Sequence, residues 1–476
     1  MDIRDAIRRI HDAPDGPEVG AFFEFTGTIL QGYSPLRPMR VKKDSDSDRD
    51  RDVALDLMKT LRASKAPQFV EDMVGTVYPS WRGRTDDDIA SVANRIFERA
   101  AAGRVYPEVW HLINAHHNKG HTVVIATAGP PYVAQAAARA LDCGHVLSTS
   151  LEKRDGVLTG LVDGPVLWRR AKAHAVRKFA ETNGIDLKLS FGYCHGSDDV
   201  ELLSAVGFAG AVNPDRTLAK IAEQKQWPVL TFASRGAVSP VQVGRTFAGY
   251  GGFFGAVGLG LTKGAVKRDH RLGVDAAIGM SADVALRIAG VDVNLRGVEN
   301  VWSRRPAVFI FNHQSQADAL VLAKVLRGGF TGITKKEMAS SKLFGPILRI
   351  ADAVFIDRAD SASAREALRP VADTLKSGLS IVIAPEGTRS LTPGVGPFKK
   401  GAFHIAQQAG VPIVPVIIRN AGELMWKHGR VLRRGTVDVV VEKPIDVARW
   451  KKDDFEKNIA EVQRMYRRYL ENWPRD

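Results

Sequence analysis

Ala307-Val308-Phe309-Ile310-Phe311-Asn312-His313-Gln314-Ser315-Gln316-Ala317-Asp318 is the stretch on which the reading of this chain turns. Ala307 to Phe311 is an unbroken apolar run and reads as a buried strand. Leu320, Val321 and Val325 follow at helical spacing. His313 and Asp318 therefore fall at the mouth of a strand–helix turn, where such a pair can serve as a base and its orienter. The spacing restricts how they meet. Five residues of ideal helix rotate through about 500°, which leaves the side chains roughly 140° apart. They come together only with His313 in the turn and Asp318 in or near the first turn of the helix. Standing alone, the pair reads more simply as a surface histidine and a helix-start aspartate.

Three further stretches change that reading. Phe355-Ile356-Asp357-Arg358 follows a short apolar run. Ala384-Pro385-Glu386-Gly387-Thr388-Arg389-Ser390 caps a strand from Leu379 to Ile383, and Val411-Pro412-Ile413-Val414-Pro415-Val416 is a strand with prolines. In this order and spacing the four stretches resemble the glycerolipid acyltransferase family, nearest to the 1-acylglycerol-3-phosphate acyltransferases, over roughly Val301 to the C-terminus. The resemblance implies acyl transfer from acyl-CoA or acyl carrier protein to 1-acylglycerol 3-phosphate, a lysophosphatidic acid, giving phosphatidic acid. Glycerol 3-phosphate or another lysophospholipid is the alternative acceptor.

Acyl transfer from a thioester to an alcohol needs a base, a positioned alcohol and donors for the developing oxyanion. His313 is the candidate base, and Asp318 would hold the imidazole tautomer and stabilise the imidazolium. No serine or cysteine nucleophile is required if the acceptor hydroxyl attacks directly, and no cofactor or metal is implied for the transfer. A phosphorylated acceptor needs cationic clamps. The resemblance implies Arg358 and Arg389, whose planar guanidinium groups suit phosphate by donating in pairs. Lys335, Lys336, Lys399 and Lys400 read first as solvated lysines that would add charge. Gly387 would permit close backbone approach, and Glu386 would fix neighbouring groups or the acceptor's polar atoms. Pro412 and Pro415 would shape the wall of an acyl channel. The implied substrate-binding set is Phe355, Arg358, Glu386, Gly387, Thr388, Arg389 and Pro412.

The chain has 476 residues, too many for one ordinary domain. Its 45% hydrophobic and 25% charged residues are those of a globular protein. Two cysteines, Cys143 and Cys194, imply no disulfide framework. The N-terminus alternates charged and apolar residues, unlike a signal peptide, so a reducing, cytoplasmic setting is expected. The net charge of +14 fits an acidic substrate or an anionic membrane surface, and equally a merely basic globular protein. Nucleic acid is not expected as a partner, since neither zinc-finger spacing nor an aromatic-rich RNA motif occurs.

From about Gly20 to Phe232 the pattern is repeated strand–helix units. Strands read at Ala21–Phe25 and Thr122–Ala126, a third ends at Gly192-Tyr193, and helical stretches such as Ala173–Phe179 lie between. That implies a parallel α/β sheet with ligands at the carboxyl ends of its strands. Asp44 to Asp52 is charge-dense and reads as a solvated loop. The strand ends resemble the haloacid-dehalogenase-like phosphatases, closest to the phosphoserine-phosphatase branch. That family uses D-x-D-G-T where this chain has Glu24-Phe25-Thr26-Gly27-Thr28. Thr127 matches its second motif and Lys172 its third. In Tyr193-Cys194-His195-Gly196-Ser197-Asp198-Asp199, Asp199 is kept and His195 stands at the first acid. The resemblance implies a Rossmann-like domain with a helical cap, and phosphate binding at Thr28, Thr127, Lys172 and Asp199. Mg²⁺ would be needed only if the domain is active, and the altered acids at Glu24, Thr26 and His195 argue against hydrolysis.

The expected organisation is α/β throughout: a haloacid-dehalogenase-like domain over 15–233, a linker and apolar segment over 234–270, and an acyltransferase domain over 271–476. The linker reads at Ser234–Pro240, rich in small residues. Tyr250–Thr262 is apolar and glycine-rich but too short to span a bilayer as a straight helix. Leu272, Ala276, Met280, Val284 and Ile288 recur every four residues as an amphipathic helix. Either segment could lie in a membrane interface or pack on the catalytic domain, and the expected location is the cytoplasmic face of the cell membrane, peripheral or monotopic. Phe455, Ile459, Val462, Tyr466 and Leu470 read as the packing face of a last helix.

Overall fold

The computed structural model describes residues 1–32, 48–63, 78–233, 238–335, 339–341, 345–356 and 369–473. It divides into two compact units, Met1–Arg235 and Gly236–Asp476, each built on its own sheet.

The N-terminal sheet is formed by β1 (Gly20–Glu24), β2 (Thr122–Ala126), β3 (His145–Leu147), β6 (Phe191–Cys194), β7 (Phe208–Val212) and β8 (Val229–Leu230), while β4 (Ser150–Arg154) and β5 (Val157–Asp163) make a separate antiparallel hairpin. The order β3-β2-β1-β6-β7-β8 is parallel at every pairing. β1 is buried at all five positions, as a central strand covered on both faces must be. Between β1 and β2 lie the helices Asp48–Ala63, Asp86–Ile96 and Pro107–Asn118, the helical insertion expected of a cap. Thr85 starts the Asp86–Ile96 helix with a reciprocal capping box to Asp88. The acidic stretch differs from its reading as a loop. From Asp48 onward it is helical, and Asp50 pairs with Arg84 at 2.8 Å and Arg95 at 3.0 Å, so its charge is matched locally. Residues 44–47 lie outside the described residues.

The C-terminal sheet contains β9 (Val291–Arg296), β10 (Val308–Phe311), β11 (Phe330–Lys335), β12 (Val354–Ile356), β13 (Ser380–Ile383), β14 (Ile413–Arg419) and β15 (Gly435–Val441). Its order is β12-β11-β13-β10-β14-β15-β9, with β10 at the centre. The β14–β15 pair is antiparallel and the others are parallel. β10 is buried at each position and pairs with β13 and β14 on its two sides. The C-terminal helix, Phe455–Glu471, buries the five residues of its periodic stripe: Phe455, Ile459, Val462, Tyr466 and Leu470.

The segment set apart as a connection is largely a structural part of the second unit. Residues 234–237 of the expected linker lie outside the described residues. Ser239 then caps a 28-residue helix, Pro240–Lys267, with a capping box to Gln242. This helix forms a hairpin with the His270–Ala289 helix. Their interface is made of small residues. A Cβ on Gly260 would lie 2.3 Å from Ala277 N, and one on Gly264 would lie 2.5 Å from Gly273 Cα. The every-fourth stripe is not the packed face as a whole: Val284 and Ile288 meet Gly252, but Leu272 and Met280 are each 37% exposed. Close backbone contact instead buries Gly273, Ala277 and Ala285.

Candidate functional site

His313 lies in the turn after β10, and Asp318 opens the helix Asp318–Leu326. His313 Nδ1 stands 2.8 Å from Asp318 Oδ2. A carboxylate only accepts, so Nδ1 carries the proton and Nε2 is the basic nitrogen. Nε2 makes no hydrogen bond among the described residues, and the side chain is 29% exposed. Asp318 Oδ2 also accepts from the backbone N–H groups of Gln314 and Ser315, each at 2.9 Å. Its Oδ1 is buried and has no hydrogen-bond partner among the described residues. The turn is held from outside as well. Asn312 donates to Ile418 O and accepts from Ile418 N, both at 2.8 Å. Ser315 Oγ donates to Met425 O, and Gln314 Nε2 donates to Pro393 O.

Glu386 faces this turn from the end of β13. Its Oε1 accepts from His313 N at 2.7 Å and its Oε2 from Gly396 N at 2.8 Å. The carboxylate thus binds two backbone segments to each other, a neighbour-fixing arrangement. Burial pushes the Glu386 carboxyl up to about 7, with Asp318 adding to the rise and the two N–H bonds opposing it. Gly387 has φ +75°, and a Cβ there would come within 2.9 Å of Lys399 Nζ. Ser390 N donates to His313 O at 2.7 Å, so the segment around Glu386 grips both the amide and the carbonyl of the base. Arg389 is half-buried and donates to Lys427 O at 2.5 Å. Burial lowers its pKa from the ordinary arginine value, and the nearby Asp318 works against that lowering. Thr388 is exposed.

Other expected residues are not gathered here. Arg358 and Lys336 lie outside the described residues. Phe355 is on β12, the edge strand, with β11 and β13 between it and β10. Pro412 precedes β14 at the amino end of the sheet, where its carbonyl accepts from Val308 N at 2.9 Å. At roughly 3.3 Å per residue along β10, that is about 16 Å from His313. Proline fits there because it precedes the strand and no donor is missed. Lys400 is ion-paired with Glu456. Sequence reasoning assigned no role at the site to Asn312, Gly396, Gln463 or Tyr466, all of which touch its frame. For Tyr466 a signal was present: a hydroxyl on an otherwise apolar stripe must find a partner once buried.

In the N-terminal unit, Glu24 ends β1 and folds back on its own loop. Its carboxylate accepts from Thr26 N at 2.7 Å and from Thr28 Oγ1 at 3.1 Å. Lys172 is buried, and its Nζ is 2.6 Å from Asp199 Oδ1. Burial disfavours the ammonium, but Asp199 and Glu24 outweigh that and hold it charged above the ordinary lysine range. Thr127 accepts from Gly129 N at 3.2 Å. His195 Nδ1 donates to Val212 O at 3.2 Å. These residues do not fit Mg²⁺, which prefers several hard oxygen ligands. Among the described residues no group of three or more His, Cys, Asp or Glu is placed to hold a metal ion.

Two family models match the chain: acyltransferase over residues 292–419, and haloacid dehalogenase-like hydrolase over residues 21–204. Each falls on one of the two units, so the chain joins an acyltransferase unit to a haloacid-dehalogenase-like one. The 1-acyl-sn-glycerol-3-phosphate acyltransferase of Saccharomyces cerevisiae is 35% identical over 167 residues, covering 34% of this chain and 55% of that one. An uncharacterized acyltransferase of Schizosaccharomyces pombe is 31% identical over 199 residues, covering 37% of this chain and 71% of that one. The solved 1-acyl-sn-glycerophosphate acyltransferase PlsC of Thermotoga maritima is 26% identical, with 49% of this chain and 98% of that one covered and a TM-score of 0.43. This chain belongs to the acyltransferase family. It spans a little over half the length of the first of these relatives.

The raised Glu386 carboxyl gives a pH dependence of stability. Between pH 4.5 and about 7 the folded state keeps a proton that the unfolded chain has released. Stability from this group is therefore full below 4.5 and is lost as pH rises through 7, with a slope approaching about 1.4 kcal/mol per pH unit. Glu386→Gln cannot titrate. Thermal unfolding of both proteins from pH 5 to 8 should show the wild type's advantage shrinking up to about pH 7 and then levelling; a gap independent of pH would refute the assignment.

Proposed function

We propose that the C-terminal unit transfers an acyl chain from acyl-CoA or acyl carrier protein to the free hydroxyl of 1-acylglycerol 3-phosphate, forming phosphatidic acid. The observation that carries this reading is the 2.8 Å bond from His313 Nδ1 to Asp318 Oδ2, with Nε2 left as a basic nitrogen after the central strand β10. Nε2 takes the proton of the acceptor hydroxyl as its oxygen attacks the thioester carbonyl carbon. The tetrahedral intermediate collapses by breaking the C–S bond, and the imidazolium gives the proton to the leaving sulfur. Asp318 faces the imidazolium as it forms and offsets its charge. Arg389, half-buried beside the dyad, and Arg358, by its place in the F-I-D-R stretch, are assigned to the acceptor's phosphate.

We infer that the protein works peripherally on the cytoplasmic face of an anionic membrane. Among the described residues no helix is long and apolar enough to cross a membrane. The Pro240–Lys267 helix exposes Val241, Phe247, Leu259 and Val266, at 66%, 72%, 64% and 75%. Arg245, Lys263 and Lys267 are exposed on the same helix, which contains no acidic residue. Apolar side chains entering the headgroup region, with cations beside them, suit an interfacial helix.

We infer that the N-terminal unit does not hydrolyse phosphate esters. Glu24 is one methylene, roughly 1.5 Å, longer than the aspartate nucleophile of the family it resembles, and displacement of about 1 Å can cost on the order of 10²-fold. Thr26 stands at the acid–base position and does not titrate usefully near neutral pH. Thr28, Thr127 and Lys172 keep the chemistry to bind phosphate, with Asp199 holding the lysine.

Four outcomes test these readings. Thiol release from acyl-CoA, measured across a panel of glycerol 3-phosphate and lysophospholipids, should be fastest with 1-acylglycerol 3-phosphate. His313→Ala should lower it by on the order of 10²–10⁴-fold without loss of fold, as removal of a general base does; undiminished turnover in folded His313→Ala protein would remove the mechanism. In sedimentation with anionic vesicles, the protein should bind at low salt and weaken as salt shortens the Debye length below about 8 Å; no binding at low salt would defeat the membrane reading. With Mg²⁺ and phosphoserine or an aryl phosphate, the full chain should show no useful turnover. Robust hydrolysis that disappears in Glu24→Ala would restore a bifunctional enzyme.

A further inference from the structure

We propose that the C-terminal helix, Phe455–Glu471, braces the catalytic turn, with Gln463 and Tyr466 as positioning residues for His313. The proposal rests on the acyl-transfer reading above and concerns a part of the chain that lies beyond the residues matched by the acyltransferase model.

Tyr466 is fully buried. Its hydroxyl donates to Ile310 O at 2.7 Å and accepts from Val416 N at 3.1 Å. Ile310 pairs with Pro415 in the parallel register of β10 and β14. In a parallel ladder the carbonyl of one residue faces the N–H one place beyond its partner, here Val416. The tyrosine hydroxyl therefore sits on one rung between these strands. That rung is the last one before Asn312, whose carboxamide makes the next link to β14 at Ile418. His313 follows directly.

Gln463 lies one turn earlier on the same face of the helix. Its Nε2 donates to Gly396 O at 2.9 Å. Gly396 N donates to Glu386 Oε2, and Glu386 Oε1 accepts from His313 N. The helix thus reaches the His313 segment from both sides: directly at Ile310, and through Gly396 and Glu386 at the base's own amide. The two paths close a ring of hydrogen bonds around the turn. Phe398, in the same loop as Gly396, packs edge-on to Tyr466 at 5.2 Å between centroids. Lys400, two residues on, pairs with Glu456 at the helix's first turn and fixes the same loop to the same helix.

The ring's consequence is positional. Nε2 must reach the acceptor hydroxyl within hydrogen-bond distance, and small displacements of a base are costly. The Asp318 bond fixes the imidazole relative to the turn, and the ring fixes the turn relative to the sheet. The Lys400–Glu456 pair is exposed and contributes little by itself. Gln463 and Tyr466 carry the geometry.

The test uses the full chain with Tyr466→Phe, Gln463→Glu and the double variant. Tyr466→Phe keeps the ring and removes the hydroxyl; Gln463→Glu keeps the size and removes the donor. Two quantities are read: kcat and KM for donor and acceptor well below the melting temperature, and amide hydrogen exchange of the 308–318 segment. Each single variant should lower kcat on the order of tenfold with both KM values within about twofold, and should speed exchange in that segment. The double variant should lose less than the product of the singles, because both act on one ring. A merely structural tyrosine or glutamine would lower the melting temperature and leave kcat unchanged in folded protein; that result, with unchanged exchange at 308–318, would overturn the proposal. Should Tyr466→Phe fail to fold, the part-buried Gln463→Glu decides alone. Wild-type protein lacking acyl transfer would refute the reading above, while the exchange measurement would still judge the brace.

Discussion

One carboxylate oxygen, Asp318 Oδ2, is the point on which the acyltransferase site depends. It accepts from the imidazole and from two backbone N–H groups of the same turn. The backbone bonds fix the carboxylate, and the carboxylate then fixes the ring. This order matters energetically, because an aspartate held by its own backbone loses little further freedom when the histidine aligns to it. Oδ1 remains buried without a partner among the described residues, so the negative charge is only partly satisfied while the imidazole is neutral. Proton transfer to Nε2 creates a cation beside that charge. In the proposed transfer, Asp318 faces that cation and offsets its charge.

Glu386 ties the catalytic turn to a second backbone segment. Both oxygens accept backbone N–H groups, from His313 and from Gly396. A carboxylate pushed up to about 7 by burial is held in place by what it connects rather than by solvent. The N-terminal unit applies the same chemistry in a way that turns inward. Glu24 satisfies Thr26 and Thr28 of its own loop, and Asp199 satisfies Lys172. Removing either partner of such a buried ion pair would leave an uncompensated charge, so Lys172 and Asp199 hold each other in place.

How much of this was legible in the sequence follows from what each residue's neighbours are. The central strands were readable because burial on both faces leaves an unbroken apolar run. Thr122–Ala126 was read with its observed ends, and Leu379–Ile383 was read one residue long at its start. The spacing allows His313 and Asp318 to meet only with His313 in a turn and Asp318 at a helix start, which is where they lie. Contacts between distant segments were not readable. Nothing near Tyr466 in the chain says that its hydroxyl meets Ile310, and nothing near Gly396 says that its N–H meets Glu386. The end of the sheet at which Pro412 lies was not readable either: a motif names a strand but does not say which end of it faces the chemistry. The acidic run beginning at Asp44 reads as a loop by composition, whereas from Asp48 it is helical, with Asp50 paired to the distant Arg84 and Arg95.

The helix hairpin at the start of the second unit inverts the usual order of side chains. In water, two packed helices bury their large apolar residues and expose polar ones. Here Gly249, Ala256, Gly260 and Gly264 are buried on the first helix, while Phe247, Leu259 and Val266 are exposed. Contacts as close as those at Gly260 and Gly264 gain dispersion attraction between backbones, a gain that does not require water to be displaced. Such packing holds a helix pair together in a medium that offers no hydrophobic drive for association. The same small-residue interface leaves the bulky side chains nowhere to go but outward, together with Arg245, Lys263 and Lys267. A surface of that composition in water would carry a standing cost of roughly 25 cal/mol for each Å² of apolar area. Contact with lipid removes the cost, and it would bring the acyltransferase unit to the phase in which a lysophospholipid acceptor resides.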